Sequence, residues 1–167
     1  MTEPRLFNLN NSSDSRGSFA KITNSLSEDF PDFFNNEIQI FYSTSKRNVI
    51  RGFHYQTEDF SSTRLIICID GNINDHTINI NPKNEKYGEI VTFNMRSSDF
   101  VGLIVPPNYA HGFETLSENA TLLYIMNKSY NPNHDKVINP MSFENIWFTK
   151  KPIMSTRDST SPHFPNK

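Results

Sequence analysis

The chain has 167 residues, enough for one domain with a substantial core. Its formal net charge of −2 supplies no global basic field, which argues against a nucleic-acid partner and requires any anion site to be a local cluster of arginine and lysine. A single cysteine, Cys68, rules out an intrachain disulfide and any CxxC metal or redox motif.

The N-terminus is polar, with no basic-then-apolar leader, and no apolar run is long enough to span a bilayer. A soluble, cytoplasmic protein without a membrane partner is expected. The 14 Phe, 6 Tyr and one Trp predict an aromatic-rich interior of the kind that β structure accommodates. Residues 4–9 read as a first short strand, 10–14 as a polar turn and 16–22 as a second strand. Residues 27–34 form the one helical stretch, short and interrupted by Pro31. Strand signals then recur over 37–44, 49–56, 64–70, 73–80, 88–95, 101–105, 111–116 and 120–128. Turn residues such as Asp70-Gly71-Asn72 and Pro106-Pro107-Asn108 separate them. Many short strands without a βαβ rhythm predict an all-β sandwich or barrel. Cys68, inside the apolar run 65–69, reads as a small buried hydrophobe. The pattern fades after Pro140, and 152–167 reads as an extended tail that packs against the body or stays loose.

Two polar clusters interrupt the apolar strands. The first holds Arg51, His54, Tyr55 and Gln56. In a regular strand Gly52, His54 and Gln56 share one face, and Arg51, Phe53 and Tyr55 the other. Arg51 and His54 meet only if the strand is kinked, and Gly52 is the residue type that permits a bulge. The plain alternative is a surface strand with one structural histidine. The second cluster, 105–113, is a proline turn leading into a strand that opens with His111.

The second cluster resembles the second motif of the cupin superfamily. Metal-binding cupins pair two histidines in the first motif, but here Gln56 stands where the second histidine would be. His54 and His111 fall short of the three or more protein ligands a metal usually needs, so no metal is expected. The resemblance then sharpens. Arg51-Gly52-Phe53-His54-Tyr55-Gln56, Pro107-Asn108-Tyr109-Ala110-His111-Gly112-Phe113, Tyr124 and Tyr130-Asn131-Pro132 are similar in order and spacing to the dTDP-4-dehydrorhamnose 3,5-epimerase family. It implies an all-β, cupin-type double-stranded β-helix (jelly roll) with short peripheral helices. One domain over 1–167 is implied, with 152–167 as a tail closing over the active site. It also implies a homodimer, no metal or other cofactor, and a nucleotide-sugar substrate. The implied reaction is epimerisation beside the ketone of a nucleotide-linked 4-keto-6-deoxy sugar, in deoxysugar or surface polysaccharide synthesis.

That chemistry needs a base on one face of the ring, an acid on the other and positive charge beside the enolate oxygen. By position, the resemblance makes His54 the base, Asp158 its paired carboxylate and Tyr124 the acid, with a nearby cation expected to lower the phenol's pKa. Arg64 stands where the family usually has lysine; it can stabilise the enolate but not shuttle a proton. Asp75 matches an acidic position expected to orient Arg64 or His54. Arg16, Arg51 and Arg157 match basic positions suited to the diphosphate. His111 and Tyr130 match residues lining the sugar and nucleotide pocket. Lys21 departs from a family glutamate, and Phe41 stands where an asparagine usually follows two residues after the position of Gln39; these positions hold the thymine base in the family. A shifted nucleotide or sugar preference is therefore expected. A sugar-nucleotide 3,4-ketoisomerase, a non-catalytic sugar-nucleotide-binding cupin and a metal-dependent oxygenase are the alternatives.

Overall fold

A computed structural model describes residues 3–22, 33–35 and 37–165. Its strands are β1 (Arg5–Asn8), β2 (Asn10–Asp14), β3 (Gly17–Lys21), β4 (Gln39–Lys46), β5 (Ile50–Gln56), β6 (Arg64–Asp70), β7 (Asn72–Asn79), β8 (Ile90–Arg96), β9 (Val101–Val105), β10 (Tyr109–Thr115), β11 (Asn119–Met126) and β12 (Asp135–Val137). They form two five-stranded sheets, ordered β1-β9-β6-β11-β4 and β12-β5-β10-β7-β8, plus the separate hairpin β2-β3. All named pairings are antiparallel. The all-β jelly roll expected from the sequence is the architecture found.

Side-chain alternation builds the core. In β6, Leu65 through Cys68 are all buried, because both faces of the strand are covered. Ile66 and Cys68 turn into the cluster between the sheets, with Leu103, Phe113, Leu122 and Tyr124. Leu65 and Ile67 turn outward, under Phe7, Leu9 and Phe33. A third cluster, with Phe53 and Trp147 at its centre, lies where the long segment after β12 covers the other sheet. Burial pushes the Cys68 thiol up to about 11, so at neutral pH it stays a thiol and acts as a small apolar side chain.

One local expectation is corrected, one strand is additional to those expected, and one expectation lies mostly outside the described residues. Residues 10–14 form not a turn but β2, whose polar side chains are all exposed; hydrogen bonding to β3 makes it a strand, not burial. The three-residue β12 was not foreseen, since it is too short to show alternation. The helical stretch over 27–34 lies outside the described residues except at its end, where Phe33–Asn35 is a 3-10 turn. The peripheral helices otherwise comprise short 3-10 turns and α1 (Thr156–Thr160).

The described part of the tail packs against the body. Ile153 bridges Val49, and Ile50 N–H donates to the Ile153 carbonyl at 3.0 Å. The Asn139 amide donates to the carbonyls of Ser159 and Ser161. Ser155 caps α1 by accepting from Asp158 N–H at 3.0 Å. Among the described residues no helix is long and apolar enough to cross a membrane.

Candidate active site

The site begins with a break in β5. Gly52 has φ +111°, and the register of β10 against β5 shifts between His111 and Phe113, directly opposite. A Cβ on Gly52 would lie 2.6 Å from the His111 carbonyl oxygen and from Gly112 Cα, so only glycine fits. The break has the consequence the sequence required. Arg51 and His54, which a regular strand sends to opposite faces, line the same cavity. That cavity is about 300 Å³ and lies at the β5, β10, β11 and β4 face, with Arg64, His111 and Tyr124 in its wall.

His54 is half-exposed to the cavity, and its Nε2 lies 2.8 Å from Asp158 Oδ1. Burial raises the pKa of the Asp158 carboxyl, but the hydrogen bonds from His54, Ser155 and the Gly52 backbone outweigh it and hold the net value below the ordinary 3.8. The ionised carboxylate accepts the Nε2 proton, which leaves Nδ1 as the imidazole nitrogen with a free lone pair.

Tyr124 is buried on β11, its ring stacked on Phe41 and its hydroxyl 3.5 Å from Ser43 Oγ. The expected fall in its pKa is overturned. Burial dominates and pushes the phenol well above 10.0, although Ser43, Arg51 and Arg64 each pull the other way. Tyr124 is therefore a phenol that keeps its proton. Arg64 is buried, and Nη1 donates to the His54 carbonyl at 2.8 Å, while Nε has no hydrogen-bond partner among the described residues. Burial pulls its pKa down to about 10, against the pull of Asp135 and Asp75, so it remains a cation at neutral pH.

Asp75 serves neither Arg64 nor His54 by hydrogen bond. Its Oδ2 lies 3.2 Å from His111 Nδ1, and the side chain is fully buried. The strand pairing explains this, since His111 on β10 lies between Thr77 of β7 and His54 of β5. His54 and His111 are register partners, but each has a ring nitrogen directed at a carboxylate. Among the described residues no group of three or more His, Cys, Asp or Glu gathers in a way that suits a metal.

The remaining expected residues divide. Gln39 and Tyr130 line the cavity, and the Tyr130 N–H donates to Gln39 Oε1 at 2.6 Å. Arg51 donates from Nε to Ser45 Oγ at 2.9 Å. Gln56 supports the same loop by accepting from Asn131 N–H at 2.7 Å. Arg157 lies beside the cavity rather than in its wall, paired to Asp135 at 2.6 Å. Arg16 and Lys21 are not brought to the site. Arg16 is exposed at the β2-β3 turn, 2.6 Å from Asp14, and Lys21 ends β3 in the same hairpin. Sequence reasoning missed Asp135, which lines the cavity and accepts from the Tyr130 hydroxyl at 3.1 Å. It stands in a polar stretch with no apolar pattern to mark it. Ser43 was missed as well.

Residues 1–166 match the sequence model of the dTDP-4-dehydrorhamnose 3,5-epimerase family. The chain is 30% identical over 166 residues to dTDP-4-dehydrorhamnose 3,5-epimerase of Salmonella typhimurium, covering 96% of this chain and 87% of that one. It superimposes on the crystal structure of dTDP-4-dehydrorhamnose 3,5-epimerase from Sulfolobus tokodaii with a TM-score of 0.86 at 29% identity, over 96% and 89% of the two chains. A 3'-monoepimerase from Streptomyces bikiniensis, solved with dTDP-quinovose, shares the fold with a TM-score of 0.86 at 22% identity, over 96% and 83% of the two chains.

Proposed function

The chain belongs to the dTDP-4-dehydrorhamnose 3,5-epimerase family, and on that premise we propose how its cavity inverts carbon centres beside the ketone of a nucleotide-activated 4-keto-6-deoxy sugar. The chain is an isomerase, an epimerase of a nucleotide-linked 4-keto sugar of deoxysugar biosynthesis. The observation that carries the mechanism is that His54, buttressed by Asp158, lines one cavity with Tyr124 and Arg64.

The ketone acidifies the adjacent C–H bonds. His54 Nδ1 removes a proton, and the C–H electron pair becomes the enolate, with negative charge on the C4 oxygen. Asp158 steadies the imidazolium through Nε2–H. Arg64 supplies fixed positive charge to the enolate from a buried position, where such charge is effective. Tyr124 gives its proton to the same carbon from the opposite face. The carbon leaves inverted, the phenolate regains a proton, and His54 releases the one it took. A phenol with a raised pKa suits this role, because the enolate carbon is a much stronger base than a phenolate. Arg51, His111, Gln39 and Tyr130 bind the substrate around the reacting ring, with Arg157 at the margin. The tail packs α1 behind the cavity wall, where Asp158 reaches His54.

The active form is a homodimer in this reading. β4 ends its sheet and exposes Ile40, Phe41 and Tyr42 along that edge, and such an edge calls for cover. The hairpin β2-β3 stands outside both sheets. A second copy gives Arg16 and Lys21 a route to a site they do not reach in their own subunit. With lysine and phenylalanine at two positions that hold the base in the family, a shifted nucleotide preference is supported.

Incubation in heavy water with dTDP-4-keto-6-deoxyglucose tests the reaction. Deuterium at two ring carbons assigns double epimerisation, and at one carbon single epimerisation. Absence of deuterium overturns the proposal.

A further inference from the structure

We propose that Phe41 is a positioning residue for the proton-donating phenol of Tyr124, holding its ring in the plane from which the hydroxyl reaches the enolate carbon. This rests on the epimerase reading above. Phe41 and Tyr124 are register partners across β4 and β11, so their side chains rise from the same face. Their ring centroids are 4.7 Å apart with planes only 10° from parallel. Among the described residues the hydroxyl's hydrogen-bond partner is Ser43 Oγ at 3.5 Å, the outer limit of such a contact, and it restrains the ring weakly. The neighbouring His111 ring is farther away, at 6.0 Å, and tilted by 55°. Among the described residues Phe41 thus makes the closest aromatic contact to the acid, and it lines the same cavity.

The arrangement matters because the base and the acid act on opposite faces. If the phenol swings out of line, the enolate still forms on His54 and is still reprotonated by His54 on the face it left. The carbon then exchanges its hydrogen with solvent and keeps its configuration. Loss of Phe41 therefore predicts a specific failure: exchange without inversion.

The test measures, in heavy water with dTDP-4-keto-6-deoxyglucose, the ratio of deuterium uptake with retained configuration to uptake with inversion. Wild type is compared with Phe41→Leu, Phe41→Asn and Phe41→Tyr. Phe41 is 41% exposed, so truncation does not empty the core. Phe41→Leu and Phe41→Asn are expected to raise the ratio and lower kcat for inversion about 10- to 100-fold, the scale of a small misplacement of a reacting group, with KM unchanged. Phe41→Tyr keeps the ring and is expected to return the ratio to the wild-type value. A raised KM with an unchanged ratio makes Phe41 a substrate contact and overturns the proposal, as does a ratio equal in all four proteins. Absence of deuterium uptake by wild type overturns the epimerase reading and this proposal with it; wild-type uptake with an unaltered ratio overturns this proposal alone.

Discussion

Asp158 and His54 stand 104 positions apart in the chain, and the tail delivers the carboxylate of one to within hydrogen-bonding distance of Nε2 of the other. Asp158 reaches the imidazole from α1, behind the cavity wall, so its substitution separates proton transfer from binding. Asp158→Asn leaves the shape but removes the charge and offers the ring an ambiguous partner. A loss of kcat of about 10²-fold or more is expected, within the range of general acid–base catalysis. Calorimetric titration with dTDP is expected to give wild-type affinity. His54→Asn abolishes turnover with the same retention of affinity; an equal fall in affinity makes His54 a binding residue only.

In the proposed mechanism Tyr124 acts while protonated, and burial moves its pKa upward from 10.0. The alkaline loss of kcat/KM due to this phenol is therefore displaced to higher pH than an exposed tyrosine gives. Rates measured across the alkaline range are expected to hold past the ordinary phenol value. A break below it, absent in Tyr124→Phe, counts against the assignment.

His111 predicts the acid behaviour of the fold. Burial lowers its pKa from 6.5 more than the adjacent Asp75 and its hydrogen bond raise it. As pH falls through 6.5 the unfolded chain takes up a proton here before the folded chain does. Stability is thus fully present above the unfolded value and declines on acidification toward the lower folded value. His111→Gln is expected to flatten this dependence, read as urea midpoints from about pH 7.5 down to about pH 5.

Gly52 is a steric requirement. Gly52→Ala places a methyl group 2.6 Å from backbone atoms of β10 at a φ of +111°. A destabilisation of about 1–3 kcal/mol or more is expected from the strain, seen as a lowered thermal midpoint. Activity is expected to fall further than stability explains, because the same break aligns Arg51 with His54.

Tyr42, 72% exposed on the edge of β4, tests the assembly. Tyr42→Lys places a charge on an apolar edge that a second copy is proposed to cover. Light scattering is expected to show a dimer for wild type and a shift toward monomer for the variant. A wild-type monomer overturns the dimer.

Much of the molecule was legible in the chain. The period-2 runs and turn residues located most strands, because alternation records which face is buried. His54, Tyr124, Arg64, Arg51, His111, Gln39 and Tyr130 could be picked out by the family resemblance, and all seven line one cavity. Exposed β2 carries no hydrophobic alternation, and β12 is too short to display one. The partners of charged groups were less legible. Asp75 belongs to His111, and Arg157 to Asp135, since ion pairing depends on distances of a few ångströms that residue type does not encode.

The linear order of residues determined the class of fold, the break at Gly52 and the chemical groups available to the site. Folding decided which carboxylate meets which imidazole, that burial raises rather than lowers the pKa of Tyr124, and that Arg16 and Lys21 remain outside their own chain's cavity. Side-chain periodicity is a local property and can be read along a strand. Desolvation and pairing arise only where distant segments meet.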